Sequence, residues 1–207
     1  MKPYVRFIIS RYGGEIIRRM SLEEILGRFG VDGSKIYYML SRRYILRVLR
    51  GFFYVRTFDE IARGVMPDIY VVLSKTMGLI TDNWFFGLYT ALMLTGATHE
   101  YFPVYYIIND RLYRPKDINV IGHRVRILKF SKKLFGFGVI SRGCMKLSDL
   151  ERTIIDLAYW MRYRLIPVDV IVSMLRQYSK HVNKARVYEY LNNYPKSLRV
   201  IIDEALR

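Results

Sequence analysis

Residues 21 to 56 read SLEEILGRFGVDGSKIYYMLSRRYILRVLRGFFYVR, and this stretch decides the fold of the N-terminal part of the chain. Its first half has apolar residues at helical spacing around a glycine-containing turn, and its second half has aromatic and branched runs on both sides of Gly51. This order predicts two short helices and then a two-stranded hairpin, the arrangement of a winged helix-turn-helix. Because helix-turn-helix proteins place their second helix in the major groove, the stretch favours DNA binding.

The first predicted helix covers residues 22 to 29. It begins with a Ser-x-x-Glu pattern, Ser21 to Glu24, which predicts a capping box that satisfies free backbone N–H groups at the helix start. Gly30 suits the left-handed position just after a helix, because it carries no Cβ. After the turn at residues 31 to 33, Ser34 is the predicted N-cap of the second helix.

The second predicted helix, residues 35 to 43, is the candidate recognition helix. Its apolar residues recur at i, i+3 and i+4 and are expected to pack inward: Ile36, Met39 and Leu40. The opposite face presents two cations and a phenol: Lys35, Tyr38 and Arg42. Together with Ser34 and Arg43 at the helix ends, these three side chains are predicted DNA contacts.

The predicted hairpin has its strands at residues 44 to 46 and 52 to 55, and Gly51 lies where the chain must turn back. Arg47 and Arg50 are predicted at its tip. Arginines at such a tip can follow the phosphate backbone or enter a narrow minor groove. They complete the predicted DNA-binding set.

The charge distribution agrees with a nucleic-acid partner. Residues 1 to 58 hold 12 Lys and Arg against 4 Asp and Glu, a net charge of +8, and residues 59 to 207 hold 22 against 14, also +8. The positive charge is therefore concentrated toward the N-terminus. However, a chain with net charge +16 attracts polyanions of any sequence. A helix-turn-helix can also be a packing or protein-interaction module, and its cations can be a solvated face.

The length of 207 residues leaves room for a winged helix and one further domain. We therefore predict an α+β protein with a winged helix-turn-helix domain at residues 1–58 and a mixed α/β domain at residues 59–207. Cys144 is the only cysteine, which excludes an intramolecular disulfide and a multi-cysteine zinc site. Because Arg6 and Arg11 interrupt the first apolar run, we predict no secretory signal and expect a cytoplasmic protein.

Known catalytic patterns are missing from the sequence. It has no Walker A, Gly-x-Gly-x-x-Gly or His-Glu-x-x-His motif. A nucleotidyltransferase needs a Gly-Ser turn followed by paired acidic residues that hold Mg²⁺, but Gly33-Ser34 is followed by Lys35. The three histidines, His99, His123 and His181, are far apart in sequence. We therefore expect no enzyme activity, no cofactor and no metal.

The second domain is predicted to contain helices, then strands, then helices. Residues 83 to 99 carry no Asp, Glu, Lys or Arg but are too short and too polar to span a bilayer, so we predict no membrane association and a buried helix at residues 83–96 that ends at Gly96. The remaining predicted elements are a connecting helix from residue 57, a helix at residues 67–75, and strands at residues 104–108, 120–121, 124–128 and 134–140.

A further amphipathic helix is predicted from Ser148 onward. Ser148 and Glu151 form a second Ser-x-x-Glu pattern, which predicts another capping box. The apolar stripe of the helix is Leu150, Ile154, Leu157 and Met161. Arg152 and Asp156 are four residues apart and are expected to pair on the helix surface, where such a pair contributes only about 0.2–0.5 kcal/mol. Glu151 and Asp156 point to different faces, which argues against a catalytic carboxylate pair.

Three stretches of this chain resemble the AbiEi-type antitoxins, the transcriptional regulators of type IV toxin–antitoxin and abortive-infection systems. They are the hairpin sequence RGFFY at residues 50–54, the segment NWFFGLYTALMLTG at residues 83–96, and SDLERTIIDL at residues 148–157. The last is similar to the family's Asp-x-Glu-[Lys/Arg]-Thr-x-x-Asp-Leu motif, whose matching residues here are Asp149, Glu151, Arg152, Thr153 and Asp156. The chain departs from the family at Tyr89-Thr90, where Glu-Ser is common, and before Leu150, where a proline is common.

The resemblance implies a protein that represses its own operon and opposes a genetically linked toxin. The DNA partner would be the double-stranded promoter of that operon, with inverted-repeat sites bound by the winged helix. The second domain would act as the antitoxin. The toxin in such systems resembles a nucleotidyltransferase, and a stable complex between antitoxin and toxin is not required.

Two other readings of the sequence remain open. In the first, the winged helix is an RNA- or protein-binding module, and basic and aromatic residues of the late helices supply the contact surface: Tyr178, Lys180, Lys184, Arg186 and Tyr188. In the second, both domains clamp one duplex. A clamp predicts that removing cations from the second domain lowers the salt dependence of DNA binding.

Overall fold

The computed structural model describes all 207 residues and confirms the α+β class, with ten α-helices and nine strands in two sheets. The chain divides into two compact units: residues 1–82 with 119–123, and residues 83–118 with 124–207. No helix combines the length and the apolar composition that crossing a bilayer requires.

The first unit contains five helices and a three-stranded antiparallel sheet. The helices are α1 (Pro3–Tyr12), α2 (Arg19–Arg28), α3 (Lys35–Ser41), α4 (Phe58–Arg63) and α5 (Ile69–Gly78). The strands are β1 (Ile16–Arg18), β2 (Ile45–Leu49) and β3 (Phe52–Val55), in the sheet order β1-β3-β2. Buried apolar side chains of α1, α2, α3 and the sheet form one core.

Helix α2 differs at its start from the prediction. It begins at Arg19, with Arg18 as N-cap, so Ser21 lies inside the helix and the predicted capping box with Glu24 is wrong. Glu24 instead accepts a hydrogen bond from Arg28 at 2.6 Å. The predicted end is confirmed, because Gly30 has a φ of 65° and the N–H after it bonds back to the carbonyl of Leu26 at 3.0 Å.

Helices α4 and α5 belong to the first compact unit, which therefore extends past the sequence-based boundary at residue 58. Thr57 and Glu60 form a capping box that starts α4, as predicted for a connecting helix. Helix α5 begins at Ile69, after the N-cap Asp68, instead of at Pro67, and it continues to Gly78. The Lys75 ammonium on α5 donates to the carbonyl of Gly14 at 2.6 Å and thus attaches α5 beside β1.

The second sheet has six strands: β4 (Trp84–Phe86), β5 (Val104–Asn109), β6 (Ile118–Val120), β7 (His123–Lys129), β8 (Val139–Arg142) and β9 (Met145–Ser148). Their order is β6-β7-β5-β4-β9-β8. The sheet is mixed, because β5 pairs in parallel with β7 and β4 with β9, while β4–β5 and β8–β9 are antiparallel. The second unit's helices are α6 (Leu88–Thr95), α7 (Leu150–Tyr163), α8 (Val168–Arg176), α9 (Lys184–Leu191) and α10 (Ser197–Ala205).

Two predicted elements of the second domain are wrong in type. The predicted helix at residues 83–96 begins as strand β4, because Trp84, Phe85 and Phe86 are all buried in the sheet, and only its later part is the helix α6. The predicted strand at residues 134–140 is mostly a 3₁₀ turn (Lys132–Leu134) and a glycine loop, with β8 starting at Val139. The strands predicted at residues 104–108 and 124–128 are confirmed, as is the left-handed end of α6 at Gly96.

Candidate nucleic-acid interface

The turn before α3 is stabilised by Asp32. Its Oδ1 accepts a hydrogen bond from the backbone N–H of Ser34 at 2.5 Å. Ser34 is the N-cap of α3, as predicted, but its side chain makes no capping hydrogen bond. Hydrogen bonds from the side chain and the backbone of Ser34 hold the pKa of Asp32 below its ordinary value. This carboxylate orders the chain just before the candidate recognition helix.

Helix α3 buries the face that its apolar spacing predicts. Ile36 and Met39 are buried in the core of the first unit, and Leu40 packs against that core while half-buried. Because this face is held by the core, the remaining faces of α3 are the ones that a ligand can reach.

The outward residues of α3 differ in one respect from the prediction. Arg42 and Arg43 are exposed and Lys35 is half-buried, but Tyr38 packs with its ring centroid 6.3 Å from that of Tyr44. Tyr37, which sequence reasoning passed over, is 61% exposed. The helix register therefore presents Tyr37 to solvent and uses Tyr38 for packing.

The two predicted arginines of the β2–β3 hairpin lie at different distances from its turn. Arg50 lies in the turn beside Gly51, whose φ of 83° makes the turn possible. Arg47 lies within β2, opposite Phe53, and is exposed. The prediction that both arginines are at the tip therefore holds only for Arg50. A bulge between Arg47 and Leu49 bends the strand between them.

Ion pairs distinguish the cations of α2 and α4 from those of α3 and the hairpin. Helices α2 and α4 neutralise theirs in Arg19–Glu23 at 2.7 Å, Arg28–Glu24 at 2.6 Å and Arg63–Asp59 at 3.0 Å. We call the second group the open basic surface; it consists of Lys35, Arg42, Arg43, Arg47 and Arg50, none of which has a carboxylate within ion-pair distance. Local neutralisation thus leaves α3 and the hairpin positively charged.

Helix α1 adds cations that the sequence reasoning did not use. Lys2, Arg6 and Arg11 are exposed, and the Lys2 ammonium lies 4.8 Å from the centre of the Tyr38 ring on α3. The signal was available, because Pro3 at the first helical turn and buried apolar residues at helical spacing mark this helix.

Arg56 holds the end of α3 in place. Its guanidinium is buried and donates to the carbonyl oxygens of Arg43 at 3.2 Å, Glu60 at 2.5 Å and Val65 at 2.7 Å. Arg43 adopts a φ of 54°, a left-handed conformation that ends the helix. Arg56 is therefore a positioning residue beneath the open basic surface, and not a part of it.

The second predicted set, the motif at residues 149–156, lies mostly inside the second unit. Asp149 is the N-cap of α7 and accepts from the Arg152 N–H at 2.8 Å, while the Ser148 hydroxyl bonds that of Thr153 at 2.7 Å. Glu151 accepts from the backbone N–H of Asn183 at 2.9 Å. The predicted capping box between Ser148 and Glu151 is therefore wrong, and Asp149 serves in its place.

Arg152 and Asp156 pair in the protein interior, so the expectation of a surface pair is wrong. Both side chains are fully buried, and Arg152 Nε donates to Asp156 Oδ2 at 3.2 Å. The guanidinium also donates to the carbonyl oxygens of Phe137 and Leu134. It lies 4.1 Å from the centre of the Phe85 ring, a cation–π contact in a site without water access.

Tyrosines from the C-terminal helices complete this network. The Tyr194 hydroxyl donates to Asp156 at 2.6 Å, and the Tyr190 hydroxyl donates to Asp149 at 3.0 Å. Burial, together with the bond to Asp149, raises the pKa of Tyr190 to about 12. Four of the five motif residues are buried, so the motif joins α7 to its neighbours instead of forming an exposed contact surface.

The late-helix residues of the RNA reading are not all available for contact. Tyr178 is 4% exposed, so its ring cannot stack on a base from outside. Lys184 donates to the carbonyl of Leu206 at 2.5 Å. Lys180 and Arg186 are exposed.

No group of three His, Cys, Asp or Glu side chains is arranged to hold a metal ion.

Comparisons with known proteins support the fold alone. No protein-family profile matches the chain, and no curated protein matches it. A solved structure, the Rv2827c protein from Mycobacterium tuberculosis, is similar over 97% of this chain and 75% of its own, with a TM-score of 0.58 and 13% identity.

Proposed function

We propose that this protein is a DNA-binding transcriptional regulator that contacts its own promoter through a winged helix-turn-helix. The observation that carries the proposal is the open basic surface, in which the cations of α3 and the hairpin lack the ion pairs that neutralise α2 and α4. Unpaired arginines and lysines are the groups that exchange the counterions of DNA phosphates for direct contacts.

The order of elements suits this use. Helix α3 has the inward face buried, and a helix of about 10–12 Å diameter enters a major groove of about 12 Å width. In this arrangement Lys35, Arg42 and Tyr37 contact the groove and its edges. Arg50 at the hairpin tip contacts the neighbouring backbone or minor groove, and Arg47 contacts phosphate.

We further propose that the second unit acts as the antitoxin toward a genetically linked, nucleotidyltransferase-like toxin, without a requirement for a stable complex. The support is the resemblance to AbiEi-type antitoxins at residues 148–157. Because this motif is buried, its contribution to neutralisation would be to maintain the fold that presents another surface.

The proposed DNA binding is tested by fluorescence anisotropy at near-physiological salt, with the chain's own upstream DNA and a scrambled duplex of equal length. The double variant Arg47→Ala/Arg50→Ala should bind its own DNA more weakly than the wild type does, because it loses contacts to the DNA backbone. The matched control is Arg19→Ala/Arg28→Ala, which removes the same charge from ion-paired positions and should retain the wild-type affinity.

Two results would contradict operator binding. Equal affinity of the wild type for both duplexes would leave only polyanion attraction, and equal losses in the test and control variants would show that total charge decides binding. Tighter binding to single-stranded RNA than to duplex would favour the alternative of a winged-helix RNA- or protein-binding module without operator specificity.

The antitoxin proposal needs a separate measurement. The linked toxin is expressed from an inducible promoter with and without this chain, and growth is recorded. Restored growth supports the antitoxin role, and restored growth with Arg47→Ala/Arg50→Ala would show that neutralisation does not depend on operator binding. Unrelieved growth arrest at matched expression would refute it.

A further inference from the structure

The second unit contains a cleft beside the end of β7 and the end of α7. Its volume is about 660 Å³, within the range of roughly 300–1,000 Å³ that small-molecule sites occupy. The lining residues are Tyr113, Pro115, Arg126, Leu128, Lys129, Phe130, Ser131, Tyr159, Trp160, Tyr163 and Arg164. Aromatic rings and cations dominate this set, and no carboxylate belongs to it.

The cations of the cleft are not equally free to bind an anion. Arg126 forms an ion pair with Asp117, which also binds Arg124 at 2.9 Å. Lys129 is exposed, and neither it nor Arg164 has an ion-pair partner. Lys129 and Arg164 are therefore the two charges in the cleft that can neutralise a bound anion.

The aromatic residues present two kinds of surface. Tyr163 is 81% exposed and Tyr113 is 56% exposed, so their rings are open to a partner. Trp160 is half-buried and rests edge-on against Tyr106 at 5.6 Å, while the Arg164 guanidinium lies 5.0 Å from the centre of the Trp160 ring. The cleft thus combines an indole that is packed against Tyr106 with two exposed tyrosines and a cation beside them.

The loop that carries Tyr113 is anchored. The buried Asn109 donates to the carbonyls of Leu112 and Leu128, each at 2.9 Å, and accepts from the N–H of Arg111 at 2.9 Å. The next residue, Arg114, donates its backbone N–H to Ile127 at 3.2 Å. These bonds hold the loop beside β7, so the cleft is preformed on this side.

We propose that this cleft binds a nucleoside phosphate. The base stacks against Trp160 and Tyr163, and the phosphate lies between Lys129 and Arg164. Aromatic stacking accepts every base, and cations without carboxylate partners supply the phosphate contact. The same chemistry serves a free nucleotide and a nucleotide unit of a single strand. The site lies in the second unit and is independent of the proposed operator contacts on α3.

The two tryptophans of the chain make the test direct. Trp84 is 3% exposed in β4, whereas Trp160 lines the cleft. We would titrate the full chain with AMP, UMP, adenosine and inorganic phosphate, and follow the two indole N–H signals by NMR. Trp84→Phe assigns the signals. AMP and UMP should shift the Trp160 signal in a saturable way, and adenosine or phosphate alone should bind at least about tenfold more weakly.

Variants identify the binding groups. Tyr163→Ala should weaken AMP binding about tenfold, which is within the range for loss of one stacking partner, and Lys129→Ala/Arg164→Ala should weaken it at least as much. The matched controls are Tyr101→Ala, which removes a tyrosine that is 77% exposed outside the cleft, and Arg162→Ala, which removes an exposed arginine of the same helix. Both should bind AMP as the wild type does.

The source of the ligand is distinguished with a tetranucleotide. A single-stranded ligand should bind through the same Trp160 signal with higher affinity than AMP, whereas equal affinity would identify a free nucleotide. The proposal is overturned if neither mononucleotides nor the tetranucleotide shift the Trp160 signal, or if the control variants lose as much affinity as the cleft variants.

Discussion

At the scale of single residues, Arg152 shows how burial changes the contribution of an ion pair to stability. An Arg–Asp pair four residues apart on a helix surface contributes a few tenths of a kcal/mol. Arg152 and Asp156 have the same spacing, but both side chains are fully buried. The Arg152 guanidinium also donates to two backbone carbonyl oxygens. Removing one partner would therefore leave a charge and several acceptors without compensation in the interior.

We predict that Arg152→Ala lowers the free energy of unfolding by about 3–5 kcal/mol, the range for breaking a buried pair. Arg162→Ala on the same helix, where the arginine is exposed, should change it by less than about 0.5 kcal/mol. Urea denaturation followed by circular dichroism measures both. Similar small losses in the two variants would contradict the role of the buried network.

Tyr190 makes a prediction about alkaline pH. Its pKa is raised from 10.0 to about 12 by burial and by donation to Asp149. Because the folded pKa lies above the unfolded value, this stabilisation is complete below about pH 10 and is lost as the pH rises from about 10 to about 12. The free energy of unfolding should fall less steeply with pH over this interval in Tyr190→Phe than in the wild type. Parallel curves would refute the linkage.

At the scale of elements, an aspartate near the predicted serine makes the ordering hydrogen bond at the start of both α3 and α7. Asp32, two residues before Ser34, accepts from the Ser34 N–H in the turn before α3, and Asp149, directly after Ser148, accepts from the Arg152 N–H as the N-cap of α7. A carboxylate accepts stronger hydrogen bonds from N–H groups than a neutral hydroxyl does. The helix starts are therefore local features that sequence indicates to within one or two residues.

The hydrogen bond at Asp32 gives a test of how the turn before α3 is held. Asp32→Ala should lower the melting temperature, because the Ser34 N–H loses its acceptor, whereas Asp32→Asn should retain most of the stability through its amide oxygen. Differential scanning fluorimetry compares the two variants. If asparagine is no better than alanine, the hydrogen bond at Asp32 does not hold the turn.

At the scale of the whole molecule, a net charge of +16 raises the question of which unit contacts DNA. We predict that Arg47→Ala/Arg50→Ala lowers the slope of log affinity against log salt by about 2, since each phosphate contact contributes about 1. Arg162→Ala/Arg199→Ala, which removes two exposed arginines of the second unit, should leave the slope unchanged. Equal reductions would instead support a clamp in which both units contact one duplex.

What the sequence determined by itself is local. The apolar spacing of Ile36 and Met39 predicted the buried face of α3, and Gly30, Gly51 and Gly96 marked the ends and turns where the structure has positive φ angles. These features depend on side-chain period and on the absence of a Cβ, which are properties of a few adjacent residues.

Only the tertiary structure decided where polar residues and aromatic runs are buried. Phe85 and Phe86 form a strand because both faces of the sheet are covered, and Arg152 is interior because Phe137 and Leu134 bring their carbonyls to it from another part of the chain. The cleft around Trp160 likewise joins residues from a loop, a strand and a helix. Burial depends on contacts between segments distant in sequence, and a pattern of a few adjacent residues cannot predict those contacts.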